Sequence, residues 1–320
     1  MSGNRSCLIV GAGMAGLTAA AALTARGWAV GLLDKGRSPG GRMATRQIGE
    51  SRLDHGAQFF TVRDARFREA ADRWERAGWV APWFRDGGHV RYRAVGGMNA
   101  LAKHLAEPFD VRTGEKVVLV EPVGGTWRVV TEAGESFCAD ALLLTPPAPQ
   151  SIALLAACAD QLPCEIDSTL KSIDFDPCFA LLVTLDGPGQ VPPPGYIRPE
   201  RGPVEWIADN TQKGVSTGAA ALTVHARADF SRQYLEAPKE DVARLLLAAA
   251  GPWLGNQISA WQLHRWRYSR PVDTCRQPMC LFSRQPACLA IAGDALGGSR
   301  LEGAFLSGLA AAERIADALS

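Results

Sequence analysis

Three glycines and one acid carry the plainest chemical signal in this chain. Gly11, Gly13 and Gly16 follow an apolar run from Cys7 to Val10, and Asp34 lies 23 residues past Gly11, ending a second apolar run from Trp28 to Leu33. Gly11 allows a sharp turn out of a strand. Gly13 has no Cβ, so its backbone can approach a pyrophosphate. Gly16 lets a helix pack close to a sheet, and the alanine-rich stretch to Arg26 supplies that helix. A helix N-terminus offers unpaired N–H groups and partial positive charge to phosphates. A carboxylate at Asp34 accepts hydrogen bonds from ribose hydroxyls. Strand, turn, helix, strand and acid together predict a dinucleotide-binding βαβ unit.

Other candidate groups follow in the chain. Gly40-Gly41-Arg42-Met43 is either a loop passing close to a cofactor, with Arg42 compensating phosphate charge, or a plain surface turn. In Asp54-His55-Gly56-Ala57-Gln58-Phe59-Phe60, small residues stand between an acid and paired aromatics. That run either lines a flat ligand, with Gln58 orienting a ring and Phe59 covering it, or is a buried strand with two core phenylalanines. His55 reads as a local hydrogen-bonding residue rather than a catalyst. Ser259 to Tyr268 alternates, placing Gln262, His264, Trp266 and Tyr268 on one face. This face is either the wall of an aromatic pocket or sheet packing with polar tips in water.

The elements that must position these groups can be read from periodicity. Asp64 to Ala77 reads as an amphipathic helix with Phe67, Ala70, Ala71 and Trp74 on its apolar face; Trp79, Trp83 and Phe84 read as loop. A helix follows Gly96-Gly97. Lys116 to Val120, Trp127 to Thr131 and Ala141 to Leu144 read as strands, which predicts a small antiparallel meander inserted into a doubly wound sheet. Further strands are expected at Phe179 to Leu185, Val204 to Ala208 and Ala219 to Ala226, with a helix at Lys239 to Ala250. A strand at Cys288 to Ala292 ends in Gly293-Asp294, and an alanine-rich helix beginning near Gly303 closes the chain. The expected architecture is α/β: a Rossmann-like domain from 1–62, 92–158 and 271–320, with an inserted α+β substrate domain on a mixed or antiparallel sheet from 63–91 and 159–270.

Bulk properties narrow the function. The 320 residues are 47% hydrophobic and 21% charged, enough for a sizeable core. A net charge of +1 gives no broad basic surface, so no nucleic-acid partner is expected. Neither a secretory leader nor an apolar stretch of ~20 residues is read, so no membrane association is expected. Cysteines at 7, 138, 158, 164, 178, 275, 280 and 288 form no CxxC pair, which suggests a reduced, cytoplasmic protein without metal site or disulfide framework. No obligate protein partner is evident.

A βαβ unit alone suits a flavin or a nicotinamide cofactor; the C-terminal segment favours a flavin. Asp294 is placed to bind the ribityl or pyrophosphate region, and the helix after it to aim its N-terminus at the flavin N1–C2=O edge. A reduced flavin gathers negative charge at that edge, which helix-end N–H groups stabilise.

The runs GAGMAGLTAAAALTARG (11–27), LLDKGRSPGGRM (32–43), DHGAQFF (54–60) and AGDALGGSRLEGAFLSG (292–308) resemble the flavin amine oxidase superfamily with the glutathione-reductase-type FAD fold. Within it the chain is similar to the bacterial renalases, most specifically in Asp54 to Thr61, His264 to Pro271 and Gly293 to Gly308. The resemblance implies non-covalent FAD and oxidation of dihydronicotinamide dinucleotides that carry the extra hydride at ring position 2 or 6. Hydride would pass to FAD, NAD(P)+ would leave, and O2 would be reduced to H2O2. It implies that Gly11, Gly13, Ala15, Gly16, Asp34, Lys35, Arg42, Ala57, Gln58, Val117, Gly293, Asp294 and Leu301 contact FAD. Phe59, Phe60, Thr61, Val62 and Arg63 would face substrate, with His264 and Arg300 as the catalytic pair. Arg300 could instead form a salt bridge to a phosphate or a carboxylate holding the terminal helix, and His264 could be a packed strand residue. The chain departs from the family pattern at Phe59, where tyrosine is common, at Cys178, where a threonine contacts substrate, and at Ala295-Leu296, where an aromatic is expected. Oxidation of a small amine and a desaturase-like flavoprotein are the alternative readings.

Overall fold

The computed structural model describes residues 5–274 and 278–319, so Cys275 lies outside the described residues. The two apolar runs of the fingerprint form strands Ser6–Val10 and Ala29–Asp34, joined by helix Met14–Thr24. They sit near the middle of a six-stranded sheet whose order is Leu281–Ser283, Cys288–Ile291, Ala141–Leu144, Ser6–Val10, Ala29–Asp34, Asp110–Thr113. The five strands from Cys288–Ile291 onward pair in parallel, and Leu281–Ser283 runs antiparallel. Parallel strands covered on both faces read as continuous apolar runs, as ALLL (141–144) and CLAI (288–291) do. A meander lies beside this sheet as Val117–Val123, Thr126–Thr131 and Ser136–Ala139, but Ala141–Leu144, expected as its third strand, belongs instead to the parallel sheet, between Ser6–Val10 and Cys288–Ile291. The third strand, SFCA, is too short to show a period, and the edge strand Asp110–Thr113 has valine as its one apolar residue, so alternation revealed neither. The terminal helix Leu301–Ala318 packs along Met14–Thr24.

The chain forms two compact units. One comprises Met1–Gly41, Ala102–Asp174 and Pro271–Ser320; the other comprises Arg42–Leu101 and Phe175–Arg270. These bounds differ from those expected. Residues 42–62 and 92–101 fall in the second unit because the hairpin of Thr45–Ile48 and Ser51–Asp54 packs Ile48 and Leu53 against Leu182 and Ala221. Residues 159–174 fall in the first unit, where helix Cys164–Lys171 packs on helix Ala148–Leu155.

The second unit is built on a five-stranded sheet in the order Tyr196–Ile197, Val204–Asp209, Ala221–Ala226, Phe175–Leu185, Ile258–Pro271. Phe179, Leu181, Val183, Val224 and Leu263 form part of its core, closed by Val242 and Leu246 of helix Lys239–Leu254. The amphipathic helix is present as Ala65–Arg76, with Asp64 accepting from the Arg66 N–H at 2.8 Å as its N-cap. Trp83 and Phe84, expected in loop, lie instead on a hairpin of Val80–Asp86 and His89–Ala94. Gly87 and Gly88, with φ of 55° and 78°, make its two-residue turn. A register shift between Pro82 and Phe84 breaks the alternation that would have betrayed the strand.

Candidate functional site

In the first unit the fingerprint builds a nucleotide cradle. The chain leaves Val10 through Gly11, at φ 103°, and the Gly11 N–H donates to the Leu33 carbonyl at 2.8 Å. A Cβ at Gly16 would stand 2.1 Å from the Gly11 carbonyl oxygen, so only glycine closes this turn. A Cβ at Gly13 would meet nothing nearer than the Gly40 carbonyl at 3.9 Å. That open approach lies at the N-cap of helix Met14–Thr24, which has neither a side-chain cap nor an acid in its first turn. The Asp34 carboxylate accepts from the Ala12 N–H at 2.7 Å and the Gly36 N–H at 2.6 Å, bracing the turn while lone pairs remain for a ribose. Gly40 N–H donates to the Ala12 carbonyl at 2.8 Å, bringing the Gly40-Gly41 pair beside Gly13. An uncapped helix end, bare backbone and a carboxylate are the donor and acceptor set that a flavin dinucleotide's pyrophosphate and ribose require, so these residues fit the group.

The C-terminal loop belongs to the same unit. Gly293 N–H donates to Ser307 Oγ at 2.9 Å, and Ser307 Oγ donates to the Met279 carbonyl at 2.6 Å. Asp294–Gly297 forms one short helical turn. The terminal helix begins at Leu301, two residues before the expected start, because Arg300 is extended and serves as its N-cap. A Cβ at Gly303 would stand 2.0 Å from the Gly298 carbonyl, so the loop folds tightly onto the helix. Glu302 is buried in the first turn, where the helix end favours a negative charge. Arg300 is exposed and forms no ion pair with a carboxylate among the described residues. Val117 is buried at the start of its strand, Ala15 is buried with its carbonyl against Gly308, and Lys35 Nζ donates to Gln150 Oε1 at 2.8 Å.

In the second unit the Asp54–Phe60 loop is held from several sides. A Cβ at Gly56 would stand 1.9 Å from the Arg42 carbonyl, and the Ala57 N–H donates to that carbonyl at 2.9 Å. Arg42 Nη1 donates to the Ser269 carbonyl at 3.1 Å. Asp54 is fully buried: Oδ1 accepts from the Met98 N–H at 2.8 Å and Thr45 Oγ1 at 2.6 Å, and Oδ2 accepts from Lys213 Nζ at 2.7 Å. Burial pulls the Lys213 ammonium below its ordinary value, and Asp54 opposes that shift. Gln58 is not free to orient a ring with its donor group, because Nε2 donates to the Asp54 carbonyl at 2.7 Å and the Gly56 carbonyl at 3.2 Å.

Three histidines meet on this loop. The His55 carbonyl accepts from Trp266 Nε1 at 2.8 Å and from His225 Nε2 at 3.2 Å, which fixes the proton of His225 on Nε2. The His55 ring stacks on Trp266 at 5.4 Å and meets His264 edge-on at 4.9 Å. His264 meets Trp266 at 4.2 Å. Burial pulls His55 down to about 3, reinforced by His264, Arg46 and His225. Burial pulls His264 and His225 down to about 4 each. All three imidazoles are therefore neutral near pH 7.

The aromatics expected to face substrate divide. Phe59 joins a cluster with Trp83, Phe84 and Trp206 at 5.6–6.4 Å, and Tyr196 stacks on Phe84 at 4.2 Å and Trp206 at 4.7 Å. Arg91 lies over Phe59 at 5.5 Å, Lys213 over Trp83 at 5.0 Å and Arg198 over Trp206 at 4.9 Å. Phe60 turns the other way, stacks on Tyr92 at 5.4 Å and packs against Phe67 and Trp74. It is a core residue, buried and held by an isolated antiparallel bridge to Tyr92. Val62 and Thr61 are buried and Arg63 is exposed. Cys178 lies against the Ala226 carbonyl at 3.6 Å, and burial pushes its thiol up to about 12, so it stays protonated. Lys213, Asn210, His225 and Arg91 were absent from the sequence reading. The polar run Asp209 to Lys213 directly after an apolar strand was the available signal.

Residues 9–74 match the pattern of an NAD(P)-binding Rossmann-like domain, and residues 75–316 match flavin containing amine oxidoreductase. The chain is similar to renalase of Mus musculus, 25% identical over 94% of this chain and 96% of that one. It is 46% identical to hydroxyneurosporene desaturase of Rubrivivax gelatinosus over 56 residues, 18% of this chain and 11% of the other. Among solved structures it is similar to an Exiguobacterium protein described provisionally as a protoporphyrinogen oxidase, with TM-score 0.76, 14% identity and 98% and 99% of the two chains covered. Wild-type putrescine oxidase bound to putrescine gives TM-score 0.67, 16% identity and 99% of each chain covered. At these identities the solved structures speak to fold alone. Among the described residues, no helix is long and apolar enough to cross a membrane.

Proposed function

This chain belongs to the flavin containing amine oxidoreductase family and is a flavin-dependent oxidoreductase, and we propose that it is an FAD-dependent oxidase acting on 2- or 6-dihydronicotinamide dinucleotides, with O2 as acceptor. FAD is held without a covalent bond: Gly13 and the helix behind it take the pyrophosphate, Asp34 the ribose, and Arg42 and Asp294 further polar groups. Bound FAD supplies hydride acceptance and reoxidation by O2. The chain's own part is to hold the dihydropyridine ring and exclude other geometries, which proximity alone makes worth several kcal/mol, up to about 7–11 in favourable cases.

One observation carries the choice of substrate. The aromatic cluster around Phe59 already carries cations on its rings: Arg91 on Phe59, Lys213 on Trp83 and Arg198 on Trp206. An aromatic cage for a substrate ammonium needs those faces vacant. A second cation 5 Å from one of them would be repelled by about 3 kcal/mol at an effective dielectric of about 20. Lys213 and Arg91 are paired with Asp54 and Asp86, which leaves Arg198, exposed and without an ion-pair partner among the described residues, as the charge in this cluster that attracts a dinucleotide's phosphates.

Anaerobic stopped-flow mixing tests the proposal. 6-DihydroNAD should bleach the flavin band rapidly, and a primary amine such as putrescine should leave it oxidised. Rapid bleaching by the amine and none by the dihydropyridine would reverse the assignment.

A further inference from the structure

The five-stranded sheet has two unlike faces. Ile197, Ile207 and Val224 point into the core closed by helix Lys239–Leu254, so their chain neighbours Tyr196, Trp206 and His225 point to the opposite face. The inner part of that face is shut, because Thr223 Oγ1 and His225 Nε2 donate to the Asp54 and His55 carbonyls at 2.8 and 3.2 Å. Its outer part stays accessible: Phe59, Trp83 and Tyr196 are only half-buried, and Arg198 is exposed.

Arg198 stands at the rim of this accessible patch. It follows Tyr196–Ile197, the outermost strand, whose register pairs Tyr196 with Ala208 and Ile197 with Ile207. Continuing that register sets Arg198 opposite Trp206, and its guanidinium lies over the indole at 4.9 Å. Phe59 packs on the same indole at 5.6 Å, so the width of one side chain separates the two. The loop after Arg198 is braced, since Arg227 donates to the Pro199 carbonyl and, at 3.0 Å, to the Gly202 carbonyl. Stacking holds a guanidinium flat and leaves its edge N–H groups for a ligand, the geometry that grips a phosphate through two parallel hydrogen bonds. Arg91 and Lys213, the other cations on these rings, are paired with Asp86 and Asp54, whereas Arg198 has no ion-pair partner among the described residues.

We propose that Arg198 binds a phosphate of the substrate's pyrophosphate and so sets a preference for the dinucleotide over the phosphate-free riboside. The assignment rests on the dihydronicotinamide dinucleotide reading above and adds to it the residue that holds the part of the substrate that does not react.

The test uses the oxidised holoenzyme and two probes, NAD+ and nicotinamide riboside, which share the ring and its ribose and differ in the phosphates. Binding is read from the shift of the flavin absorbance band and by calorimetry. Arg198→Met keeps a stem over Trp206 and removes the charge and the fork; it should weaken NAD+ binding by about tenfold and leave the riboside unchanged. Arg198→Lys returns the charge without the fork and should recover part of the loss, and Arg198→Glu should weaken NAD+ further than Arg198→Met does. Added salt should weaken NAD+ binding to the wild type and do so less steeply in Arg198→Met. NAD+ binding unchanged in Arg198→Met and Arg198→Glu, or equal weakening of both probes, overturns the assignment and leaves the dinucleotide reading standing. Wild-type enzyme that binds neither probe overturns the dinucleotide reading itself.

Discussion

Replacing Lys213 by methionine asks what holds the Asp54–Phe60 loop. The Lys213 ammonium and the Asp54 carboxylate are both fully buried and 2.7 Å apart. Methionine keeps the length and the apolar stem and removes only the charge. Breaking a buried pair from one side costs about 3–5 kcal/mol, because the remaining ion is left uncompensated. Two hydrogen bonds to Asp54 Oδ1 survive, from Met98 and Thr45, which places the cost near the lower limit, about 3 kcal/mol. For a unit of this size each kcal/mol corresponds to about 2–4 °C, so the transition should fall by about 6–12 °C. Scanning calorimetry of the FAD-loaded protein measures it. Asp54→Asn keeps an acceptor for Met98 and Thr45, and the double substitution should be more stable than the sum of the single losses predicts. A Lys213→Met transition within 2 °C of the wild type, or strictly additive losses, would refute the claim that this ion pair holds the loop.

Gly13→Val should fold and fail to retain FAD, because its side chain fills the pyrophosphate's approach; a yellow purified variant contradicts this. Gly16→Ala should instead lose the fold by circular dichroism, since its Cβ would stand 2.1 Å from the Gly11 oxygen. Arg300→Leu should keep its flavin spectrum and slow anaerobic reduction by the dihydropyridine by ~2–4 kcal/mol, or about 30- to 1000-fold in rate; unchanged reduction removes Arg300 from the site. Because His264 is drawn from 6.5 down to about 4, its neutral burial contributes stability that is complete above pH 6.5 and lost as pH falls toward 4. The unfolding free energy of the wild type relative to His264→Gln should therefore decline from pH 7 to pH 5, by up to ~1.4 kcal/mol per pH unit, as denaturant titration at each pH reads it.

The nucleotide cradle was legible in the sequence because its constraints are local. Gly11, Gly13, Gly16 and Asp34 lie within one βαβ unit; Gly16 answers to the Gly11 carbonyl, Asp34 to the Ala12 N–H, Gly11 to its positive φ, and Gly13 to the open approach its missing Cβ leaves. The alternation of Ile258–Pro271 likewise placed His264 and Trp266 on one face, and the structure brings both onto His55. The hairpin carrying Trp83 and Phe84 was hidden because its register shift breaks the period of two. Lys213 and His225 were invisible for a different reason: their partners, Asp54 and His55, are 159 and 170 residues distant in the chain. A lysine in a polar loop gives no sign that it will be wholly buried. Gln58 illustrates the converse, since a residue rightly placed beside the loop turns its amide inward to shape it.

The protonation states around His55 bear on the choice between amine and dihydropyridine. A protonated amine must lose a proton before it can surrender a hydride, so an enzyme acting on one near neutral pH gains from a base whose pKa lies close to the working pH. Imidazoles held at about 3 and 4 take up that proton poorly at pH 7. Lys213 is closed off in its ion pair with Asp54, and the thiol of Cys178 is held protonated. A dihydropyridine asks for none of this, because loss of its hydride leaves an aromatic cation and releases no proton. Neutral rings that fix orientation without exchanging protons suit that reaction. Such a site should give a reduction rate constant that stays level from pH 6 to pH 8. A bell-shaped profile centred in that range would require a titrating group that these histidines do not supply.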